Sequence, residues 1–168
     1  MLTTEHFFTT LLGIFGANAA PTNGEGVRFE GQLAYRFSRI GRDSWDVSAS
    51  ISRVVNYEYS NRGGLKAVLI LSRNGYRPGS TLRGRAVAQL PLGLLEARTA
   101  YSGFSFSGRS RIPKGRYTVV LAIADGNNYL EHALNFPRKV TFGTQSRAFS
   151  RSSLALSREH VEDLALAQ

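Results

Sequence analysis

Val27-Arg28-Phe29-Glu30-Gly31-Gln32-Leu33-Ala34-Tyr35-Arg36-Phe37-Ser38 changes chemistry at every step. Val27, Phe29, Gly31, Leu33, Tyr35 and Phe37 fall on one side of an extended chain, with Arg28, Glu30, Gln32, Ala34, Arg36 and Ser38 on the other. Side chains of a strand alternate between its two faces, so this period of two predicts a strand with one wet face. A sheet wet on one face and apolar on the other belongs to an antiparallel arrangement. Gly41-Arg42-Asp43 reads as the turn out of it, and a second alternating run follows through Trp45, Val47, Ala49, Ile51, Val55 and Tyr57, broken only by Arg53.

The same reading extends along the chain. Ser60 to Gly64 is a loop, and Leu65 to Ser72 (LKAVLILS) is a nearly continuous apolar run that suits a strand buried on both faces. Asn74-Gly75 and Arg77-Pro78-Gly79-Ser80 are turn chemistry. Leu82 to Gln89 is a further strand, ended by Pro91-Leu92-Gly93, and Tyr101 to Ile112 alternates through Phe104 and Phe106. After Pro113-Lys114-Gly115, Tyr117 to Ala124 is the most strongly apolar strand; Asp125 to Asn128 closes it, and Leu134 to Phe142 reads as the last. About seven strands with no helical period between them point to an antiparallel β-sandwich and away from βαβ units.

The ends differ. Phe7, Phe8, Leu11, Leu12 and Phe15 stand at i, i+1, i+4, i+5 and i+8, one face of an amphipathic helix expected to dock on its own domain or on a neighbour. Ala17-Asn18-Ala19 has the small-x-small form of an export cleavage site, although Met1 to His6 carry Glu5 and no Lys or Arg. The run is too short to span a bilayer. Gly143 to Ser153 is Ser/Arg-rich and reads as loose, with a short helix expected after Ser157. The expected organisation is therefore an N-terminal helix or signal-like segment over 1–20, a sandwich domain over 21–143, and an Arg/Ser-rich tail with a short helix over 144–168.

The segment Ile112-Pro113-Lys114-Gly115-Arg116-Tyr117-Thr118-Val119-Val120-Leu121 has the form P-x-G-x-Y-x-x-x-L. It is similar to the strand that carries the tyrosine corner of immunoglobulin-like and fibronectin-type-III-like sandwiches, where the Tyr hydroxyl bonds back to upstream backbone. About residues 45 to 142 resemble accessory modules of bacterial secreted and surface proteins. The resemblance implies an all-β, antiparallel immunoglobulin-like sandwich in which Pro113, Gly115 and Tyr117 form that corner. It implies no single function, because such modules serve as spacers, adhesins and assembly subunits.

With 168 residues and ordinary hydrophobic content, one domain with a self-sufficient core is expected. There is no cysteine, which removes disulfides and thiolate metal sites. His6, His132 and His160 lie far apart, with no metal-ligand spacing and no G-x-S-x-G elbow elsewhere. Asp125-Gly126-Asn127-Asn128 with Glu131 offers oxygen atoms but fails calcium-loop spacing and reads as a turn. No enzyme, metal or small-molecule cofactor is expected.

The net charge is +9, and of the 21 basic residues only Lys66, Lys114 and Lys139 are lysines. Arginine forks onto carboxylates and phosphates and stacks on aromatic rings. Arg83 with Arg85, and Arg109 with Arg111, are i, i+2 pairs; Arg28 and Arg36 leave the apolar face of theirs. Tyr76 or Tyr101 could stand nearby as stacking surfaces.

Two functions follow. The first is a structural or interaction subunit that assembles with other proteins or itself, on a cell surface or in a larger complex. The second is a module that binds an anionic polymer, an acidic glycan or a nucleic acid, through its arginine faces. An extracytoplasmic setting is favoured over a cytoplasmic assembly.

Overall fold

The computed structural model describes residues 26–143 and 149–156. Nine strands lie among them: β1 (Val27–Arg39), β2 (Ser44–Asn56), β3 (Arg62–Ser72), β4 (Arg85–Leu95), β5 (Ala100–Arg111), β6 (Gly115–Ala124), β7 (Leu130–Asn135), β8 (Val140–Phe142) and β9 (Phe149–Leu156). All pairings are antiparallel, and the described residues hold no helix. The N-terminal segment with Phe7, Phe8, Leu11, Leu12 and Phe15, and the helix expected after Ser157, fall outside the described residues.

One sheet runs in the order β5-β2-β1-β9 and the other β4-β3-β6-β7, with β8 joined to the start of β6. The alternation of β1 and β2 sends Phe29, Leu33, Tyr35 and Phe37, and Trp45, Val47, Ala49 and Ile51, into one apolar cluster. There they meet Ala67, Leu69 and Leu71 of β3 and Val119, Leu121 and Ile123 of β6. The remaining apolar positions of β3 and β6 are also buried. Val68, Ile70, Val120, Ala122 and Ala124 form a second cluster with Leu82, Leu130 and Ala133, and Tyr76 packs against it. Burial on both sides is why these two strands read as unbroken apolar runs. Phe142 of β8 plugs one end of the main cluster, its ring edge-on to Phe37 at 5.1 Å and to Trp45 at 4.9 Å.

The Tyr117 hydroxyl donates to the Pro113 carbonyl at 3.2 Å. Gly115 makes room for the ring, since a Cβ there would lie 3.1 Å from its atoms. The bond expected from the Pro-x-Gly-x-Tyr motif is present.

Four sequence expectations are corrected. The strand placed over Leu82 to Gln89 starts at Arg85 and continues through Pro91 to Leu95. β4 is an edge strand, so the missing prolyl N–H leaves no ladder gap toward a further strand. The run Leu134 to Phe142 is two strands, interrupted at Phe136 to Lys139 around Pro137. Arg62, placed in a loop, already pairs with Leu95. The tail taken as loose contains β9, whose residues 149–156 pair with β1 from Gly31 to Ser38. A strand at a sheet edge needs backbone partners more than apolar side chains, which is why Ser/Arg composition concealed it.

Candidate functional site

The exposed phase of β1, β2 and β5 makes one broad polar face. Cross-strand register sets its rows: Ala34 opposite Ser50 and Ser50 opposite Ser105; Arg36 opposite Ser48 and Ser48 opposite Ser107; Ser38 opposite Asp46 and Asp46 opposite Arg109; Ser44 opposite Arg111. Directly opposite residues project on the same side of a sheet and lie within about 5.5 Å of one another.

Beside this face, β4 forms a wall. A Cβ on Gly108 of β5 would stand 3.1 Å from the Val87 carbonyl oxygen of β4, so the two edge strands meet closely there. The Arg85 guanidinium donates through Nη1 to the Arg111 carbonyl at 2.9 Å and ties the strands at their ends. Together they enclose an open groove of about 1760 Å³. Its lining includes Arg36, Arg85, Arg109 and Arg111, the serines Ser38, Ser44, Ser48, Ser105, Ser107 and Ser110, and, among the described residues, a single carboxylate, Asp46. Arg109 Nε lies 3.1 Å from Asp46 Oδ1, with both side chains more than half exposed. Such a pair contributes at most about 1 kcal/mol, so a ligand anion can compete for Arg109.

Four of the six arginines singled out from the sequence therefore line one groove. The other two stand apart. β4 begins only at Arg85, so Arg83 precedes it, exposed, its carbonyl held by Ser72 Oγ at 2.7 Å. Arg28 is half-buried at the far end of β1, within electrostatic reach of His132. The tyrosines expected beside the arginines are elsewhere. Tyr76 packs on the second apolar cluster, which raises the pKa of its phenol through burial, and the Tyr101 hydroxyl accepts from the Glu96 N–H at 2.8 Å. The serines and Asp46 were missed. Their signal was available in Ser44, Ser48, Ser50 and Ser52 and in Ser105 and Ser107, all on the wet phase of alternating strands.

Asp125, Glu131 and His132 serve separate tasks. Asp125 Oδ1 accepts the N–H groups of Asn127 and Tyr129 at 2.8 and 2.9 Å, the work of a turn. Glu131 is paired with Arg62, which also holds Glu58 at 2.6 Å. His132 turns its ring toward Phe29, centroids 5.5 Å apart, with Nε2 buried and without a hydrogen-bond partner. Burial, and secondarily the charge of Arg28, push its pKa down to about 4. Among the described residues no three His, Asp or Glu side chains converge as ligands for a metal ion. Nor is any helix among them long and apolar enough to cross a membrane.

Comparison with protein-family models, with curated proteins and with solved structures gave no match to this chain.

Proposed function

We propose that this chain is a non-enzymatic binding module, an immunoglobulin-like β-sandwich whose groove holds an extended acidic glycan. The observation that carries the reading is the groove lining: four arginines, six serine hydroxyls and one carboxylate along the floor and wall of a single open channel. Guanidinium groups suit carboxylate or sulfate, and serine hydroxyls suit the polyhydroxylated backbone between them. The sandwich part rests on two sheets ordered β5-β2-β1 and β4-β3-β6-β7 around a shared core, and on the Tyr117 to Pro113 bond.

A glycan fits better than a nucleic acid. Single-stranded nucleic acid is held by stacking on aromatic faces as well as by charge. Among the described residues the one aromatic lining the groove is Phe106, and it is 8% exposed. An acidic polysaccharide as ligand agrees with an extracytoplasmic setting, which forms part of the proposal. The assembly-subunit alternative draws on the two ends outside the sandwich, and residues 149–156 of the C-terminal one pair with β1 of the same chain.

The test is retention on immobilised heparin and on polygalacturonate across a salt gradient. The intact chain should bind both and elute with salt. Arg109→Gln with Arg111→Gln should shift elution to markedly lower salt while leaving the melting temperature near that of the parent. Retention that ignores salt, or equal retention on a neutral glucan, would overturn the reading.

A further inference from the structure

At the opposite end of β2, past the register shift between Glu30 and Leu33 that leaves both Ser52 and Arg53 exposed, a second hollow opens. It holds about 410 Å³ and is lined by Glu30, Arg53, Val55, Asn56, Tyr57, Arg98 and Ala100. Arg98 is held in place by the loop around it. Arg98 is a non-glycine residue in the left-handed region, at φ 56°, a conformation that persists only where the surroundings enforce it. The enforcement is visible. The Arg98 N–H donates to the Glu58 carbonyl at 3.0 Å, Nη1 donates to the Tyr57 carbonyl at 2.7 Å, and the guanidinium lies 4.7 Å over the Tyr59 ring. Arg53 is half exposed, its contact with Glu30 a long 3.7 Å, while Glu30 also accepts the Tyr57 hydroxyl proton. Glu30 thus has another partner, and Arg53 keeps capacity for an incoming anion.

Between the hollow and the groove, β2 presents Ser48, Ser50 and Ser52, and β5 presents Ser102, Ser105 and Ser107, all exposed. At roughly 3.3 Å per residue, Asp46 in the groove and Arg53 in the hollow stand about 23 Å apart along β2. The eight residues from Asp46 to Arg53 therefore run from the Arg109 pair at one end to Arg53 at the other, with serine hydroxyls between.

We infer that the hollow at Arg53 and Arg98 is a second anion subsite of the same track, so the ligand is a linear acidic glycan long enough to occupy both. This rests on the reading of the groove as a glycan site and adds a length requirement to it. Bridging two subsites makes the second contact intramolecular, so affinity should rise by about tenfold or more once the chain spans them.

The experiment is calorimetric titration of the full chain with size-fractionated oligogalacturonates, from dimers to decamers. For the parent, affinity should stay low for short oligomers and step up at the spanning length. Arg53→Gln with Arg98→Asn should abolish that step and leave short-oligomer affinity unchanged. Asparagine tolerates the left-handed backbone, and Arg53→Gln alone, which removes one exposed side chain, should give an intermediate step. A step that survives in both variants would overturn the second subsite while leaving the groove reading intact. If no oligomer of any length binds the parent, the groove reading fails and the subsite with it. Binding of single-stranded DNA of matched length with equal or higher affinity would overturn the glycan assignment of both.

Discussion

The carbonyl oxygen of Val87 stands so close to Gly108 that a Cβ on Gly108 would lie 3.1 Å from it. That contact joins the edge strand of one sheet to the edge strand of the other. It also sets the distance between the groove's wall and its floor, because Val87, Gly108, Arg85 and Arg109 all line the channel. Gly108→Val should force the strands apart. Overpacking at a tight backbone contact costs about 1–3 kcal/mol. The expected outcome is a lower urea midpoint together with weaker heparin retention. Gly126→Ala, where nothing lies within 4 Å, should change stability by no more than about 0.5 kcal/mol. Equal effects from the two substitutions would show that the seam is not tight.

Tyr117 is 8% exposed, and its hydroxyl bond to Pro113 closes the turn that starts β6. Tyr117→Phe removes the donor and keeps the ring beside Gly115 and Phe142, whose ring centroid is 6.0 Å away. The expected loss is about 1 kcal/mol, the net worth of one ordinary hydrogen bond. Chemical denaturation of the two proteins side by side measures it, and an unchanged midpoint would mean the corner adds no stability.

His132 couples stability to pH with a definite sign. Its pKa falls from 6.5 to about 4 on folding, because burial removes solvent from the ring and Arg28 repels a second positive charge. Between those two values the unfolded chain binds a proton that the folded chain does not. Stability is therefore complete above pH 6.5 and declines as pH falls toward 4. By pH 5 the decline should reach roughly 2 kcal/mol, above the range where carboxylates begin to contribute. His132→Phe keeps the packing against Phe29 and should flatten the dependence between pH 7 and pH 5. Urea midpoints at both pH values decide it, and an equal slope in parent and variant would refute this role.

The strands were legible where burial dictates side-chain type. β1 and β2 alternate because one face meets the core, and β3 and β6 are continuous because both faces do. Legibility failed at the edges. β4 carries Pro91 and β9 is rich in Ser, and each stands at the end of its sheet's strand order with one paired neighbour among the described residues. The candidate site shows the same split. Arg109 and Arg111 could be assigned to one face from their spacing alone, and they share it. Arg36 and Arg85 join them only through sheet order and the crossing of β4 over β5, which no local pattern encodes. Arg83 was lost for a local reason: Gly84 hugs β3, where a Cβ would come within 2.6 Å of Ile70 and the Leu71 carbonyl, and the strand begins after it.

Asp46 gives the test that separates charge from shape in the groove. It is the one carboxylate among the described lining residues, and it occupies Arg109 in an exposed pair. A bound acidic glycan must displace that contact and tolerate the negative charge beside it. Asp46→Asn keeps the size of the side chain and removes both obstacles. Affinity for oligogalacturonate should rise roughly two- to fivefold, the range that loss of a solvent-screened pair allows, with stability changed by less than about 1 kcal/mol. The gain should shrink as salt is added, because salt weakens ion pairs between solvent-exposed charges. Titration of parent and variant at two salt concentrations makes the measurement. Weaker binding in Asp46→Asn would mean that the carboxylate accepts hydrogen bonds from the ligand's hydroxyls, and that sugar recognition in this groove depends on Asp46 more than on the arginine charge around it.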